Sequence, residues 1–185
     1  MARIEGDLNK EVQVQMKALM NIFEAAAWDA FTETKEKLKN HIQSDVYDKW
    51  DPKDYVRRGE NGGLGDIEYN TKGTKEPYTQ TEGDNIAAGF NLRFMPDGFM
   101  SDGSSGHWDE PLSGNWFTRR VESGEGYEWK RHPGPRPFWT NMINELIDGN
   151  GYGDIVQRSL QMYGVNVDGF IEVRRSRDGW SNGEL

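Results

Sequence analysis

Three histidines, His41, His107 and His132, and 31 acidic side chains are what this 185-residue chain offers for proton transfer or metal ligation. The histidines are scattered, and no pair has the HExxH or HxH spacing that puts two imidazoles on one metal. His107-Trp-Asp109 sets an imidazole two residues from a carboxylate, as a base with an orienting acid would be. Its Gly-, Ser- and Asp-rich surroundings read instead as a solvated loop. With so many carboxylates, pairs at glycosidase separation arise by chance, and nothing singles one out. The absence of cysteine excludes disulfides, thiolate zinc sites and thiol nucleophiles. Gly59-Glu-Asn-Gly-Gly63 lacks the lysine and following hydroxyl of a phosphate cradle, and there is no dinucleotide fingerprint or nucleophile elbow. No catalytic, cofactor-binding or metal residue is assigned, and no cofactor is expected.

The formal net charge is −9, which argues against a surface that grips nucleic acid by neutralising phosphates. It suits bland solubility, or a wall that DNA slides past. Three arginine doublets stand out in so acidic a chain: Arg57-Arg58, Arg119-Arg120 and Arg174-Arg175. They are either solvated or set to pair with carboxylates across a subunit interface. Seven Trp, seven Tyr and eight Phe supply a core despite only 35% hydrophobic residues. No apolar run approaches the ~20 residues of a membrane span, and the N-terminus carries no signal pattern. The chain is therefore expected in the cytoplasm or in something assembled there, with no membrane partner.

The elements that would position any site begin with a helix over 8–43. Leu8, Val12, Met16, Leu19, Phe23, Ala26, Ala30, Leu38 and Ile42 recur mostly three and four apart, giving one apolar stripe. Such a helix is ~50 Å long, more than a small domain needs. Either it kinks near 28–34 or one end reaches a neighbouring subunit. Residues 44–64 follow as a shaped loop, the richest motif of the chain. Tyr47, Trp50 and Tyr55 surround Pro52, then come Arg57, Arg58, Gly59, Gly62 and Gly63, closing on Leu64. Trp50, Pro52, Tyr55 and Leu64 are expected to anchor this loop at the base of the helix.

Residues 65–85 read as polar and turn-rich, with 71–77 a hairpin tip or loop. Asn85–Met95 alternates as a strand. The stretch from Pro96 to Gly114 reads as a long exposed loop carrying Phe99, Met100 and Trp108, placed to dock on a partner. Two strands, Asn115–Val121 and Tyr127–Arg131, are expected about a turn at 122–126. A helix at 138–148 should bury Trp139, Met142, Ile143 and Leu146, and leave Asn141, Asn144 and Glu145 outside. A helix at 154–163, capped by Asp154 and stopped by Gly164, and a strand over Val165–Arg174 complete the order. The fold class is α+β: a long N-terminal helix, an antiparallel β-meander, short C-terminal helices and a final strand. One domain spans 1–175, and 176–185 is a polar tail.

The order of elements and three local patterns resemble the neck, or tail-completion, proteins of long-tailed bacteriophages. The patterns are Val46-Tyr47, Pro52, Tyr55, Arg57-Arg58, Gly62-Gly63-Leu64; Trp116-Phe-Thr-Arg-Arg-Val-Glu-Ser-Gly124; and Pro135-Arg-Pro-Phe138. The resemblance covers roughly 8–150, and both the 96–114 loop and the segment after Gly151 depart from a minimal member. It implies a virion structural protein without catalysis, a homo-oligomeric ring of six or twelve copies in the neck. One face of the ring would meet the head connector or stopper, the other the tail tube or tail terminator, and DNA would pass the lumen only as cargo. The competing readings are a minor capsid or baseplate component, and an enzyme of cell-wall or nucleic-acid processing.

Overall fold

The computed structural model describes residues 2–51, 63–71, 75–82, 85–92, 94, 114–125 and 133–166. Its spine is α1, Ala2–His41, a 40-residue helix that runs on into a π-turn at Ile42–Tyr47. The expected helix was 8–43 and the loop was to begin at 44. The chain stays helical through Tyr47, with the Asp48 amide donating to the Gln43 carbonyl at 2.9 Å. Ala26, Ala30, Thr34, Leu38, Ile42 and Val46 are all buried, each four residues from the next. In an α-helix a row four apart drifts round the axis by about 40° per step. The wider i→i+5 turn checks that drift and keeps Val46 on the core that Ile42 enters. Thr34 fits in the apolar row because its hydroxyl donates to the Ala30 carbonyl at 2.7 Å.

Every later element packs on or near the C-terminal half of α1. After Gly63–Gly65 comes the single turn α2, Ile67–Asn70, capped by the Asp66 carboxylate, which accepts from the Tyr69 amide at 3.1 Å. Then β1, Lys75–Glu82, and β2, Asn85–Asn91, form a two-stranded antiparallel sheet. Glu82 pairs with Asn85, so two residues connect the strands, and the register slips between Lys75 and Tyr78, where Pro77 has no amide to give. β1 lies in the stretch expected to be polar turns. Its Tyr78, Thr79 and Thr81 suit a pleated surface, and its Glu76, Gln80 and Thr81 are exposed. Phe90 of β2 joins the sheet to the helices, with ring centroids 5.2 Å from Phe31 and 5.7 Å from Tyr152.

The strand expected at Asn115–Val121 is a helix, α3, Gly114–Ser123. Among its described side chains Thr118 and Val121 are buried, three apart, so packing against the core sets a helical period that overrides the strand preference of Trp, Phe, Thr and Val. Gly124, read as a hairpin glycine, stops this helix at φ +69°, its amide donating to the Arg120 carbonyl. The meander is thus a single hairpin among the described residues; Tyr127–Arg131 lies outside them.

The helix expected at 138–148 is present as α4, Phe138–Ile143, continued by a second π-turn, Asn144–Asp148. Trp139, Met142 and Leu146 are buried and Ile143 half-buried. The last helix, α5, Gly151–Met162, starts earlier than expected. Asn150, at φ 57°, takes the cap position rather than Asp154, which sits in the first turn. Gly164 does stop it, at φ +81°. Of the strand expected over Val165–Arg174, Val165 and Asn166 are in no strand and the rest lies outside the described residues. One contiguous core unites Leu38, Ile42, Val46, Leu64, Ile67, Phe94, Val121, Phe138, Met142, Leu146 and Ile155, so the protein is α+β and mostly helical.

Candidate functional site

Among the described residues, the N-terminal part of α1 carries no buried side chain. From Lys10 to Ala25 no side chain is buried; Ala26, 1% exposed, is the first. At 1.5 Å per residue, Ala2–Ala25 makes an arm about 36 Å long. The arm is not polar. Val12 is 55%, Val14 69% and Leu19 40% exposed, and Met16, Met20, Ile22 and Phe23 are half-exposed. Val12, Met16, Leu19 and Phe23 continue the stripe that Ala26 and Ala30 carry into the core. At the root stand three more exposed apolar side chains, Trp28 on α1 and Met162 and Tyr163 at the end of α5. α5 runs back along α1, with Arg158 on Glu33 at 2.8 Å and Tyr163 against Asp29, and it ends where the arm leaves the body.

The other end of α1 is locked by a polar clamp between the two π-turns. His41 Nδ1 lies 3.0 Å from Asp45 Oδ2, and Nε2 lies 2.9 Å from Glu145 Oε2. Carboxylates on both sides suit an imidazole that donates from both nitrogens. Asn141 Nδ2 donates to the same Asp45 oxygen at 3.0 Å, and Lys37 pairs with Glu145. Burial alone pushes Asp45 up, but hydrogen bonds from Asn141 and His41 and the charges of His41 and Lys49 outweigh it and hold its carboxyl below the usual value. Hydrogen bonds from Lys37 and then His41 hold Glu145 low as well. Behind the clamp is a hollow of about 370 Å³, lined by Asp45, Lys49, Trp50, the strap Pro133–Pro137 and Asn141. The strap is pinned by the Arg136 amide on the Val121 carbonyl at 3.0 Å.

Among the described residues no group of three or more His, Asp or Glu side chains is placed to hold a metal ion. Among them, too, no helix is long and apolar enough to cross a membrane. What the geometry offers is an anchored rod with an uncovered apolar surface. A family model, YomN, matches residues 6–162, from the arm to the end of α5. The chain belongs to the YomN family. This family is phage-derived, of the Bacillus phage SPbeta-like kind, and it makes the chain a phage protein. No curated protein and no solved structure matches the chain.

Of the loop residues singled out from the sequence, Tyr47, Trp50, Gly63 and Leu64 are among those described in this YomN-family fold. Trp50 is half-buried beside the hollow. Gly63 is buried, and its carbonyl accepts from the Asp66 amide at 3.1 Å and from Asn70 Nδ2 at 2.9 Å. Leu64 is 2% exposed and belongs to the core with Ile42 and Val46. Tyr47 ties the loop's end back to the helix, its hydroxyl accepting from the Gly65 amide at 2.8 Å. Pro52, Tyr55, Arg57, Arg58 and Gly62 lie outside the described residues, as do Phe99, Met100, Trp108 and the Arg174-Arg175 doublet. Sequence reasoning missed Asn70, buried and stapling the Gly63-Leu64 turn with a second bond to the Leu64 carbonyl at 3.1 Å. It also missed the clamp. His41 and Asp45 stand four apart and were legible as a pair, but Glu145 is a hundred residues away.

Proposed function

We propose that the protein is a virion structural component whose copies form a ring in the phage neck and join the DNA-filled head to the tail. The observation that carries this reading is the arm: more than half of the longest helix, rich in exposed apolar side chains and anchored at one end, projects from the subunit instead of folding onto it. Exposed apolar surface of that extent marks an interaction site. The phage-derived family and the head-to-tail order of motifs that resemble neck proteins support it, and the net charge of −9 suits a lumen through which DNA slides. The ring would meet the head connector or stopper on one face and the tail tube or terminator on the other, with Arg57 and Arg58 at the contact between copies.

Quantitative mass spectrometry and imaging of purified particles test the reading. Six or twelve copies at the head–tail junction are expected. Copies in the capsid shell or the baseplate, or a protein present only in the lysate and absent from particles, would overturn it. Reversing Arg57 and Arg58 to Glu is expected to lower the fraction of heads that acquire tails without moving the melting temperature of the subunit. Normal tailing would remove these two arginines from the interface.

A further inference from the structure

The arm carries more than one apolar face. Advancing about 100° per residue, Leu19, Val12, Phe23, Met16 and Met20 fall together on one side of the helix. Val14, Ala18 and Ile22 fall together on another, about 140° away by the same rotation. Gln13, Lys17 and Asn21 form the polar strip between them, each four from the next. A two-helix pair needs only one narrow seam. With Gln15 in the narrower gap on the other flank, the helix has two separate apolar faces, each able to meet a neighbour.

We infer that the arms of adjacent copies pack side by side in a closed bundle, the Met16 face of one copy against the Ala18 face of the next. This rests on the ring reading above and names its partner surface. Three observations choose a second copy as the occupant. Residues 12–23 hold one charge, Lys17, in a chain that is 29% charged with a net charge of −9. Like-charged copies meet at least cost where the charges are missing, whereas a foreign partner drawn by charge would find none here. Each copy presents two faces, so contact with one neighbour leaves the other face bare, and only a closed cycle covers both. The area points the same way. A rod ~36 Å long and ~10 Å across has roughly 1,100 Å² of lateral surface, so each of two neighbours covers about 550 Å², short of the ~800 Å² per partner of a stand-alone interface. A pair of arms is therefore weak and a closed ring, which gains both contacts at once, is not.

The cysteine-free sequence makes the test clean. Met16→Cys and Ala18→Cys place one thiol on each face at nearly the same height, Met16 being half-buried and Ala18 exposed. Infected cells supplied with the full-length double variant are treated with a short bis-maleimide and the protein is sized by immunoblot. A ladder reaching six or twelve copies is expected from the double variant, with no ladder from either single variant and none from Lys17→Cys on the polar strip. A double variant that stops at dimers means a two-fold pair of arms and overturns the bundle. No adduct between chains, while particles still hold a ring at the neck, means the arm is covered by another protein or by residues 167–185, and overturns the bundle while leaving the ring intact. A ladder from a protein located elsewhere in the particle keeps the bundle and removes the neck. Should the cysteines impair folding, Leu19→Asp with Ile22→Asp gives a second readout: subunits with an unchanged melting curve that no longer enter particles. Full incorporation of that variant would overturn the proposal.

Discussion

Glu122, at the end of α3, closes the start of α4 by accepting from the Trp139 amide at 2.7 Å. Its second oxygen takes the Thr140 hydroxyl at 2.6 Å, so a side chain 17 residues upstream supplies the cap that Pro137 cannot. Burial pushes Glu122 up, and the bonds from Thr140 and Trp139 offset this only in part. Glu122→Ala strips the acceptor from these donors. It is expected to cost about 1–2 kcal/mol, the upper range for a lost cap, which lowers Tm by roughly 2–8 °C for a chain of this size. A thermal melt checks this, with Glu122→Gln retaining most of the stability because its amide oxygen still accepts.

The pH dependence of stability has two opposing parts. Asp45 and Glu145 have lowered values in the folded chain, so their contribution is present above the ordinary carboxylate range and lost as pH falls through their folded values. Glu122 is raised, so its contribution is present below that range and lost as pH rises through its folded value. Urea midpoints measured from about pH 3 to 6, around the ordinary carboxylate values, are expected to rise more steeply with pH in Glu122→Gln. In the Asp45→Asn, Glu145→Gln double variant they are expected to flatten or fall. Parallel curves for the three proteins would remove these groups from the pH response.

Gly124 abuts the strap at Gly134–Pro135, and the two glycines are expected to behave oppositely. A Cβ on Gly124 would lie 2.5 Å from the Pro135 nitrogen, at a φ of +69° that L residues avoid. A Cβ on Gly134 would meet nothing within 4 Å. Gly124→Ala is therefore expected to destabilise by more than ~1 kcal/mol, while Gly134→Ala stays within about 1 kcal/mol of the parent, since it only restricts the unfolded chain. Denaturant unfolding of the two variants gives the comparison directly.

Leu38 and Leu19 lie on the same helix and separate folding from assembly. Leu38 is 0% exposed, and Leu38→Ala is expected to cost about 2–5 kcal/mol through the cavity it leaves. Leu19→Ala is expected to change the stability of the subunit by no more than about 0.5 kcal/mol, as for an exposed site, yet to reduce incorporation into particles. If Leu19→Ala melted early, the arm would have to pack on its own body.

What the sequence made legible was what repeats locally. The stripe of α1 and the Trp139-Met142-Leu146 face follow from spacing alone, and Gly164 marks its helix end by chemistry that needs no partner. The α+β class and the long leading helix came from the same signals. What was illegible was set by packing between distant segments. Trp116-Phe-Thr-Arg-Arg-Val121 has strand residues and is a helix because Thr118 and Val121 turn to the core. The cap from Glu122 to Trp139 and the clamp from His41 to Glu145 join residues that only the finished fold brings together. For the site, the excess length of α1 pointed to the arm, but nothing local told which end of the helix would be left uncovered.

The packing of β1, β2, α4 and α5 on one half of α1 also fixes an order of events during synthesis. The spine is translated first, yet its last cover, Ile155 to Leu160, comes more than a hundred residues later. At ~5–20 residues per second, that leaves the inner half of the stripe bare for roughly 6–24 s on the ribosome. Nascent chains on one messenger therefore expose identical apolar helices to each other before any of them has a body, and the body must outcompete a neighbour for Ala26–Val46. The run of small residues at Ala25-Ala26-Ala27 and Ala30 biases that contest, because it gives another nascent helix little side chain to grip.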